Sequence, residues 1–374
     1  SLMCDTRGTG ASGGVWDLDG PRTVQDTRDL FAWLTARPEI SDTAIGAFGI
    51  SLGGGAVWEA TATGVPFKAI VPVITWTNLN TALVTQGLSK SGLVQLLALA
   101  VPSARWEPDL LAAEPDLVAS TNLATFATLA TARSPLASLG SITTPTLLVQ
   151  GRHDFLFDID QAEAAYNALG GPKQLYIGDL GHAPANNPTA EQPTINGRVL
   201  EWFDRYLKGI AGTARPGVEL AHDPWDGTTT TYGDALPTTK KVSVALPGTK
   251  TLRGIASVAR GARLTGAAHE TFGDGTVTVR YTNAKNWDRL VAVVTVAGLS
   301  NPVTEGGAKI TAANGVATIH LFNESVLIPA GKKVTVTLAP TSDSYSTGVS
   351  KGASITIGRE TLALSVLTRA VSHP

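Results

Sequence analysis

Apolar and polar positions follow two different patterns along the chain, and the first pattern covers residues 1–210. Short apolar runs alternate with segments that carry apolar residues at helical spacing, such as Leu30, Phe31 and Leu34. This alternation of strands and helices predicts a parallel sheet with crossover helices. The predicted strands are 44–48, 68–74, 146–150 and 174–177, and the predicted helices are 27–35, 161–169 and 199–207.

The stretch 78–137 interrupts this alternation. It is rich in Leu and Ala and has few β-branched clusters, which predicts several short helices. A helical insertion between two strands of an α/β sheet usually lies over the strand ends. We therefore expect 78–137 to form a helical cap.

From Val242 onward, runs with period two or with β-branched residues are separated by Gly, Asn, Asp and Pro. Such a pattern is typical of an all-β domain of sandwich or jelly-roll type. The segment before it is rich in Pro, Gly and Thr, which predicts a linker. The fold class is therefore α/β plus all-β, with an α/β domain at 1–210, a linker at 211–241 and a β-sandwich or jelly-roll domain at 242–374.

Composition limits the classes of partner. At roughly 150 residues per domain, a length of 374 residues suggests two or three domains. Lys and Arg number 29 against 31 for Asp and Glu, so the chain lacks the basic footprint of a nucleic-acid or lipid-surface protein. A single cysteine, Cys4, excludes an internal disulfide framework and a Cys-based zinc site. No apolar run reaches the roughly 18 residues of a membrane span, so we expect none.

The clearest motif is Gly49-Ile50-Ser51-Leu52-Gly53, which matches G-x-S-x-G. A buried run precedes it and a helix-compatible segment follows, which is the context that a nucleophile elbow requires. The two glycines allow a tight turn that lifts the Ser51 hydroxyl above the sheet. The Leu52 amide would lie at a helix N-terminus, where it can hydrogen-bond a developing oxyanion.

A serine nucleophile needs a base, and the base needs an orienting acid. His182 follows the fourth apolar run and precedes the last predicted helix, which favours it over the other histidines. Asp154 comes directly after the third strand and is the favoured acid. Asp158 is the alternative, although it also suits a helix N-terminus. The order Ser51, Asp154, His182 is that of α/β-hydrolases.

Several segments resemble the family of X-prolyl dipeptidyl-peptidases and cocaine-esterase-like hydrolases. Residues 5–14 are similar to its D-x-R-G-x-G-x-S-x-G segment, and the likeness is specific in the first half and weak in the second. The other similar segments are 29–34, 49–54, 145–157, 181–182, 202–209 and 328–334.

The resemblance implies an α/β-hydrolase core with a helical cap and a C-terminal jelly roll, which cleaves esters and amides through an acyl-enzyme. By matching position, Ser51 would be the nucleophile, Asp154 the acid and His182 the base. Leu52 stands where the family usually has an aromatic residue, which changes a pocket wall but leaves the backbone amide in place. Trp76, where the cap begins, is the other candidate for the substrate pocket.

The resemblance also bears on the start of the chain. In the family, the segment similar to 5–14 follows the fourth strand, and earlier strands and a loop with a second oxyanion donor precede it. Without them the sheet core would have unpaired edges, which is costly. We therefore expect an N-terminally incomplete chain whose front strands come from a missing N-terminal segment or from a second polypeptide.

Three functional hypotheses follow. The first is a serine hydrolase acting on a small-molecule ester or amide, with no metal and no organic cofactor. The second is an X-prolyl dipeptidyl-peptidase-type exopeptidase, which needs an acidic pocket for a free amine; Glu107, Asp109, Glu114 and Asp116 are the acids of the cap. The third is a catalytically silent fragment whose β domain binds a partner. Few lysines, abundant Thr and no need for disulfides would suit a secreted bacterial enzyme.

Overall fold

The computed structural model describes residues 1–212 and 217–368. Residues 213–216 of the predicted linker and 369–374 of the predicted β domain therefore lie outside the described residues. The strands up to residue 231 are β1 (Ala47–Ile50), β2 (Ile70–Val73), β3 (Val84–Thr85), β4 (Leu88–Ser89), β5 (Thr146–Gly151), β6 (Lys173–Gly178), β7 (Gly217–Ala221) and β8 (Thr229–Thr231). The α-helices are α1 (Pro21–Thr35), α2 (Leu52–Ala62), α3 (Leu79–Leu83), α4 (Ser91–Ala98), α5 (Pro108–Ala119), α6 (Leu123–Thr131), α7 (Ile159–Ala168) and α8 (Gln192–Tyr206).

A six-stranded sheet runs in the order β1-β2-β5-β6-β7-β8, and its strands are parallel except for β8. All four strands predicted for this half are confirmed, with shifts of a few residues at their ends. Helices α2 and α7 pack on one face, where Trp58 is buried in the core, and α8 packs on the other through Trp202. Strand β1 is an edge of the described sheet, and its side chains Phe48 and Ile50 are 48% and 52% exposed.

The cap region lies between β2 and β5. It contains α3 to α6, the β3–β4 hairpin and two 3-10 helices, Ser103–Arg105 and Pro135–Ser141. Apolar side chains of α3, α4, α5 and α6 pack together with Trp76 and Phe157 over the carboxyl ends of β2 and β5. This position places the cap above the loop that carries Ser51.

The prediction of a linker at 211–241 is wrong for 217–221 and 229–231, which form two strands of the six-stranded sheet. Strand β7 adds to the parallel sheet beside β6, and β8 pairs with β7 in the antiparallel sense. A charged residue in the middle of β7 and the threonines of β8 obscured these strands. Glu219 of β7 is buried and accepts hydrogen bonds from Arg198 at 3.0 Å and from Gln174 at 3.4 Å.

The β domain is a sandwich of two antiparallel sheets around one apolar core. One sheet has the order β10-β19-β13-β16, with β9 also paired to β19; the other has the order β11-β18-β14-β15. Its strands are β9 (Thr239–Leu246), β10 (Lys250–Arg253), β11 (Val258–Arg263), β12 (His269–Glu270), β13 (Gly275–Lys285), β14 (Arg289–Val296), β15 (Thr304–Lys309), β16 (Gly315–Leu321), β17 (Leu327–Ile328), β18 (Lys333–Ala339) and β19 (Ser354–Leu367).

The described residues contain no helix with the length and apolar character needed to cross a bilayer. Over the same residues, no group of three or more His, Cys, Asp or Glu side chains is arranged to hold a metal ion.

Candidate active site

Ser51 occupies a strained turn between β1 and α2. Its backbone has φ 53° and ψ −115°, and its amide donates a hydrogen bond of 2.8 Å to the Val73 carbonyl of β2. The turn depends on glycine, since a Cβ at Gly49 would lie 2.0 Å from the carbonyl oxygen of Gly53. A non-glycine residue at positive φ in such a turn is typical of functional sites that the surrounding fold holds in place.

Asp154 lies just after β5, at the carboxyl end of the sheet, and is fully buried. Its Oδ1 accepts hydrogen bonds from the backbone amides of Leu156 at 3.0 Å and Phe157 at 3.1 Å. Two local donors thus fix the carboxylate and leave Oδ2 facing the loop after β6.

His182 connects the serine to this carboxylate. Its Nε2 lies 2.8 Å from Ser51 Oγ, and its Nδ1 lies 2.9 Å from Asp154 Oδ2. The His182 amide also donates to Asp154 Oδ2, at 3.0 Å. With the Nδ1 proton held by the carboxylate, Nε2 is free to accept the serine proton. The ring of Phe157 meets the imidazole edge-on, with centroids 5.3 Å apart.

The loop that carries His182 approaches Asp154 very closely. Gly181 has φ +144°, and a Cβ there would lie 2.6 Å from Asp154 Oδ2. The Gly181 amide donates to Asn187 Oδ1 at 3.0 Å, and Asn301 of the β domain donates to the Pro184 carbonyl at 2.8 Å. The first bond closes the imidazole loop on itself, and the second ties this loop to the β domain.

Leu52 is the first residue of α2, so its amide has no acceptor inside the helix and lies at the positive end of the helix dipole. Its side chain lines a cavity of about 220 Å³ that opens at Ser51. A cavity of about 150 Å³ already accepts benzene, so this one has room for an aromatic ring or a short aliphatic chain.

The walls of this cavity come mainly from the cap. Apart from Ser51 and Glu114, every residue that lines it is apolar. Trp76 is almost fully buried there and donates its indole N–H to the Arg133 carbonyl at 2.6 Å. Other large side chains of the wall are Trp16, Leu79, Leu83, Phe126 and Phe157.

The structure brings together Ser51, Asp154, His182, Leu52 and Trp76, all of which the sequence had selected. The alternative acid, Asp158, has no hydrogen bond to His182 in the described part of the chain; it occupies the N-cap of α7.

The cap acids are dispersed. Glu107 pairs with Arg22 at 3.1 Å and with Arg133 at 3.4 Å, whereas Asp116 accepts from Thr121 and Asn122. Asp109 is exposed in the first turn of α5. Glu114 is the member of this set that lines the cavity.

Sequence reasoning missed the part of the β domain that faces the acid loop. Glu324 Oε2 accepts a hydrogen bond of 3.0 Å from the Asp154 amide. Arg152 is buried and donates to the Ser325 carbonyl at 2.7 Å, and its guanidinium also pairs with Glu270. No motif marks these β-domain residues, since isolated acids are common in strand-rich sequences.

Buried acids are concentrated at this contact. Burial and the neighbouring Asp160 raise the pKa of Asp158 to about 7. Burial also raises the pKa of Glu305 to about 7 and the pKa of Glu324 well above its usual range. Burial therefore favours the protonated form of Asp158 in the acid loop, of Glu324 that bonds to this loop, and of Glu305 in β15.

Comparison with known proteins gives a family match. The sequence profile described as X-Pro dipeptidyl-peptidase (S15 family) matches residues 1–184. No curated protein matches the chain.

Several solved structures share the fold. A CocE/NonD family hydrolase from Staphylococcus aureus superimposes with a TM-score of 0.73 at 13% identity, covering 97% of this chain and 79% of that one. An α-amino acid ester hydrolase gives 0.71 at 13% identity, covering 96% and 84%. An aminopeptidase from a marine sediment Thaumarchaeota archaeon gives 0.66 at 12% identity, covering 97% and 84%. At these identities the likeness establishes the α/β-hydrolase core followed by a β domain.

Proposed function

We propose that this chain, whose residues 1–184 match the profile described as X-Pro dipeptidyl-peptidase (S15 family), is a serine hydrolase. It cleaves carboxylic ester or amide bonds through an acyl-enzyme, with Ser51 as nucleophile, His182 as base and Asp154 as the orienting acid. The observation that carries this proposal is the continuous hydrogen-bonded line from Ser51 Oγ through the imidazole to Asp154 Oδ2, with distances of 2.8 Å and 2.9 Å.

In the acylation step, Ser51 Oγ attacks the substrate carbonyl carbon while His182 Nε2 takes the hydroxyl proton. The Asp154 carboxylate stabilises the resulting imidazolium through Nδ1–H. The carbonyl oxygen becomes an oxyanion, and the Leu52 amide at the start of α2 donates a hydrogen bond to it. Collapse of the tetrahedral intermediate expels the alcohol or amine, which receives the proton from His182.

Deacylation repeats the same proton path with water as the nucleophile. His182 takes a proton from water, the hydroxyl oxygen bonds to the acyl carbon, and Ser51 Oγ leaves with the proton returned by the imidazole. The acid is released and the enzyme regains its starting state.

The cavity beside Ser51 favours an ester with an apolar acyl group. Its lining would desolvate a hydrocarbon chain or ring, at a gain of about 0.8 kcal/mol for each buried methylene. An anionic acyl group would lose its hydration there without finding a cationic partner among the described lining residues.

The proposal is tested by labelling the folded protein with a fluorophosphonate and by measuring p-nitrophenyl ester turnover, each against Ser51→Ala. We expect labelling at Ser51 and turnover that Ser51→Ala abolishes. Equal rates for the two proteins, with no label on Ser51, would instead favour the catalytically silent alternative.

The exopeptidase alternative rests on Glu114, the one acidic side chain among the described residues that line the cavity. A carboxylate in that position could receive the ammonium group of a peptide N-terminus. Comparing an X-Pro-anilide with short-chain and aromatic esters decides between the two substrate classes. Anilide cleavage that is faster than ester cleavage, and is lost in Glu114→Gln, would support the exopeptidase.

A further inference from the structure

The segment between β16 and β17 lies against the loop that carries Asp154. Three consecutive residues of it bond to that loop: Asn323 accepts from the Ile159 amide at 3.1 Å, Glu324 accepts from the Asp154 amide at 3.0 Å, and the Ser325 amide donates to Arg152 O at 2.7 Å. Two of these contacts use only backbone atoms. The Glu324 contact is the one in which a side chain holds the proposed catalytic acid itself.

We propose that Glu324 is a positioning residue of the hydrolase, which fixes the loop of Asp154 through its hydrogen bond to the Asp154 amide. The inference rests on the proposed function, since it assigns Glu324 a task within that triad. Glu324 touches no reacting atom and acts only through Asp154. Asp154 Oδ2 lies 2.9 Å from His182 Nδ1. A small displacement of the loop would therefore move the imidazole and change the hydrogen bond between His182 Nε2 and Ser51 Oγ.

The carboxyl of Glu324 is almost completely buried, and its Oε1 has no hydrogen-bond partner among the described residues. Burial and the carboxylates of Asp158 and Asp154 raise the pKa of Glu324 well above its usual range, while the Lys90 ammonium opposes this shift. Lys90 is itself engaged with the carbonyls of Phe155 and Leu156. Burial thus favours the neutral form of the Glu324 carboxyl, whose Oε2 accepts the hydrogen bond from the Asp154 amide.

Two substitutions of similar size separate the hydrogen bond from the charge. Glu324→Gln keeps an acceptor oxygen and cannot ionise, whereas Glu324→Met keeps the volume and removes the acceptor. The experiment measures kcat, KM and Tm with a p-nitrophenyl ester for wild type, both variants and Ser51→Ala. Glu360, a fully buried acid that pairs with Arg260 in the β domain, supplies matched Gln and Met controls.

We expect Glu324→Gln to keep kcat within about 3-fold, and Glu324→Met to lower kcat by about 10- to 100-fold at unchanged KM. The Glu360 variants are expected to change Tm without changing kcat. If Glu324→Met fails to fold, Glu324→Asp replaces it, because the shorter side chain withdraws the acceptor; the same loss of kcat is expected.

Two results would overturn the inference. The first is a kcat equal to that of wild type in Glu324→Met, or in Glu324→Asp where that variant replaces it. The second is a kcat of Glu324→Gln as low as that of Glu324→Met. Failure of the proposed function gives a different result, in which wild type and Ser51→Ala hydrolyse the ester at the same rate.

Discussion

The structure around Ser51 has two sides of different chemical character, an apolar side formed by the cap and a polar side that faces the β domain. On the cap side, the cavity is lined by apolar side chains with Glu114 as its single charged member. On the β-domain side, the loop of Asp154 contains the buried acid Asp158 and contacts the buried acid Glu324. The first wall is suited to receive a substrate, and the second is suited to hold the chemical groups in place.

This difference separates two tasks, the binding of a substrate and the positioning of the chemical groups. Apolar contacts are non-directional, so the cap wall can accept acyl groups of various shapes. Hydrogen bonds in a dry interior are directional and costly to leave unmade, so the β-domain wall fixes one geometry. Substitutions in the cap should therefore change which substrate is used, and substitutions near Asp154 should change the rate for every substrate.

The largest effect is expected from Asp154→Asn. The amide cannot hold the imidazole in the tautomer that accepts the Ser51 proton, so kcat should fall about 10,000-fold. KM should stay close to wild type, because the cavity lies on the other wall. Steady-state kinetics with a p-nitrophenyl ester measure both constants. A fall of less than 10-fold would mean that Asp154 is not the orienting acid.

Gly181→Ala should lower kcat by about 100-fold. The new methyl group would lie 2.6 Å from Asp154 Oδ2, so it forces the carboxylate and His182 apart. Gly64→Ala is the matched control, since Gly64 also has positive φ, +92°, but no atom lies within 4 Å of the added methyl. Both variants should lose stability from backbone strain of about 1–3 kcal/mol. Equal kcat values for the two would remove the steric explanation.

Phe126→Leu should change selectivity rather than rate. The phenyl ring is buried in the cavity wall on α6, and shortening it enlarges the space for an acyl chain. We expect the ratio of kcat/KM for longer acyl esters to that for acetate to rise about 10-fold. Phe272→Leu, a change in the core outside the cavity, should leave this ratio unaltered. An acyl-length series of p-nitrophenyl esters gives the ratio for both variants.

The smallest effect concerns stability and pH. The pKa of Asp158 is raised to about 7 in the folded protein, whereas an unfolded Asp titrates near 3.9. Between these values the folded state binds more protons than the unfolded state, so the free energy of unfolding falls as pH rises. Asp158→Asn removes this contribution, and the decrease of Tm between pH 5 and pH 8 should become smaller by a few degrees.

Asp116→Asn provides the control for this prediction. Hydrogen bonds from Thr121 and Asn122 lower the pKa of Asp116, so it titrates below the window from pH 5 to pH 8. Its substitution should leave the decrease of Tm in that window as it is in wild type. A decrease that is the same in Asp158→Asn as in wild type would contradict the assignment of a raised pKa to Asp158.

Much of the fold was readable because its signals are local. The strands β1, β2, β5 and β6 are short apolar runs, and the G-x-S-x-G turn identifies the residue that follows β1. Position after a strand then selected Asp154 and His182, since the carboxyl ends of parallel strands meet at one edge of a sheet. Chain order and strand ends were enough to find three side chains that lie far apart in sequence.

Strands whose alternation is interrupted or whose residues are uniformly polar are difficult to delimit from the sequence. In β19 the buried positions change phase between Ile357 and Glu360, beside a register shift against β13, so the alternation is interrupted in the middle of a 14-residue strand. The period-two pattern on either side of Gly358 was a usable signal. Strand β8 is a run of threonines and offers no contrast between its two faces.

The β-domain contacts of the acid loop were not predictable from one sequence. Glu324 and Asp154 are 170 positions apart, and their hydrogen bond depends on how two domains dock. The composition of the segment 323–325 does not distinguish this segment from a surface turn. Only the folded arrangement shows that these polar residues are buried.

Arg152 gives the molecule a property that its two-domain sequence conceals, namely that its parts are not modular. The guanidinium is buried between the domains, where it pairs with Glu270 and donates to the carbonyls of Ser325 and Ala221. Excising the β domain would remove the Glu270 carboxylate and the Ser325 carbonyl, so the guanidinium would lose the partners that hold it beside the loop of Asp154. The α/β domain is therefore not an independent unit. Truncating the chain to this domain would also remove part of the support of its candidate active site.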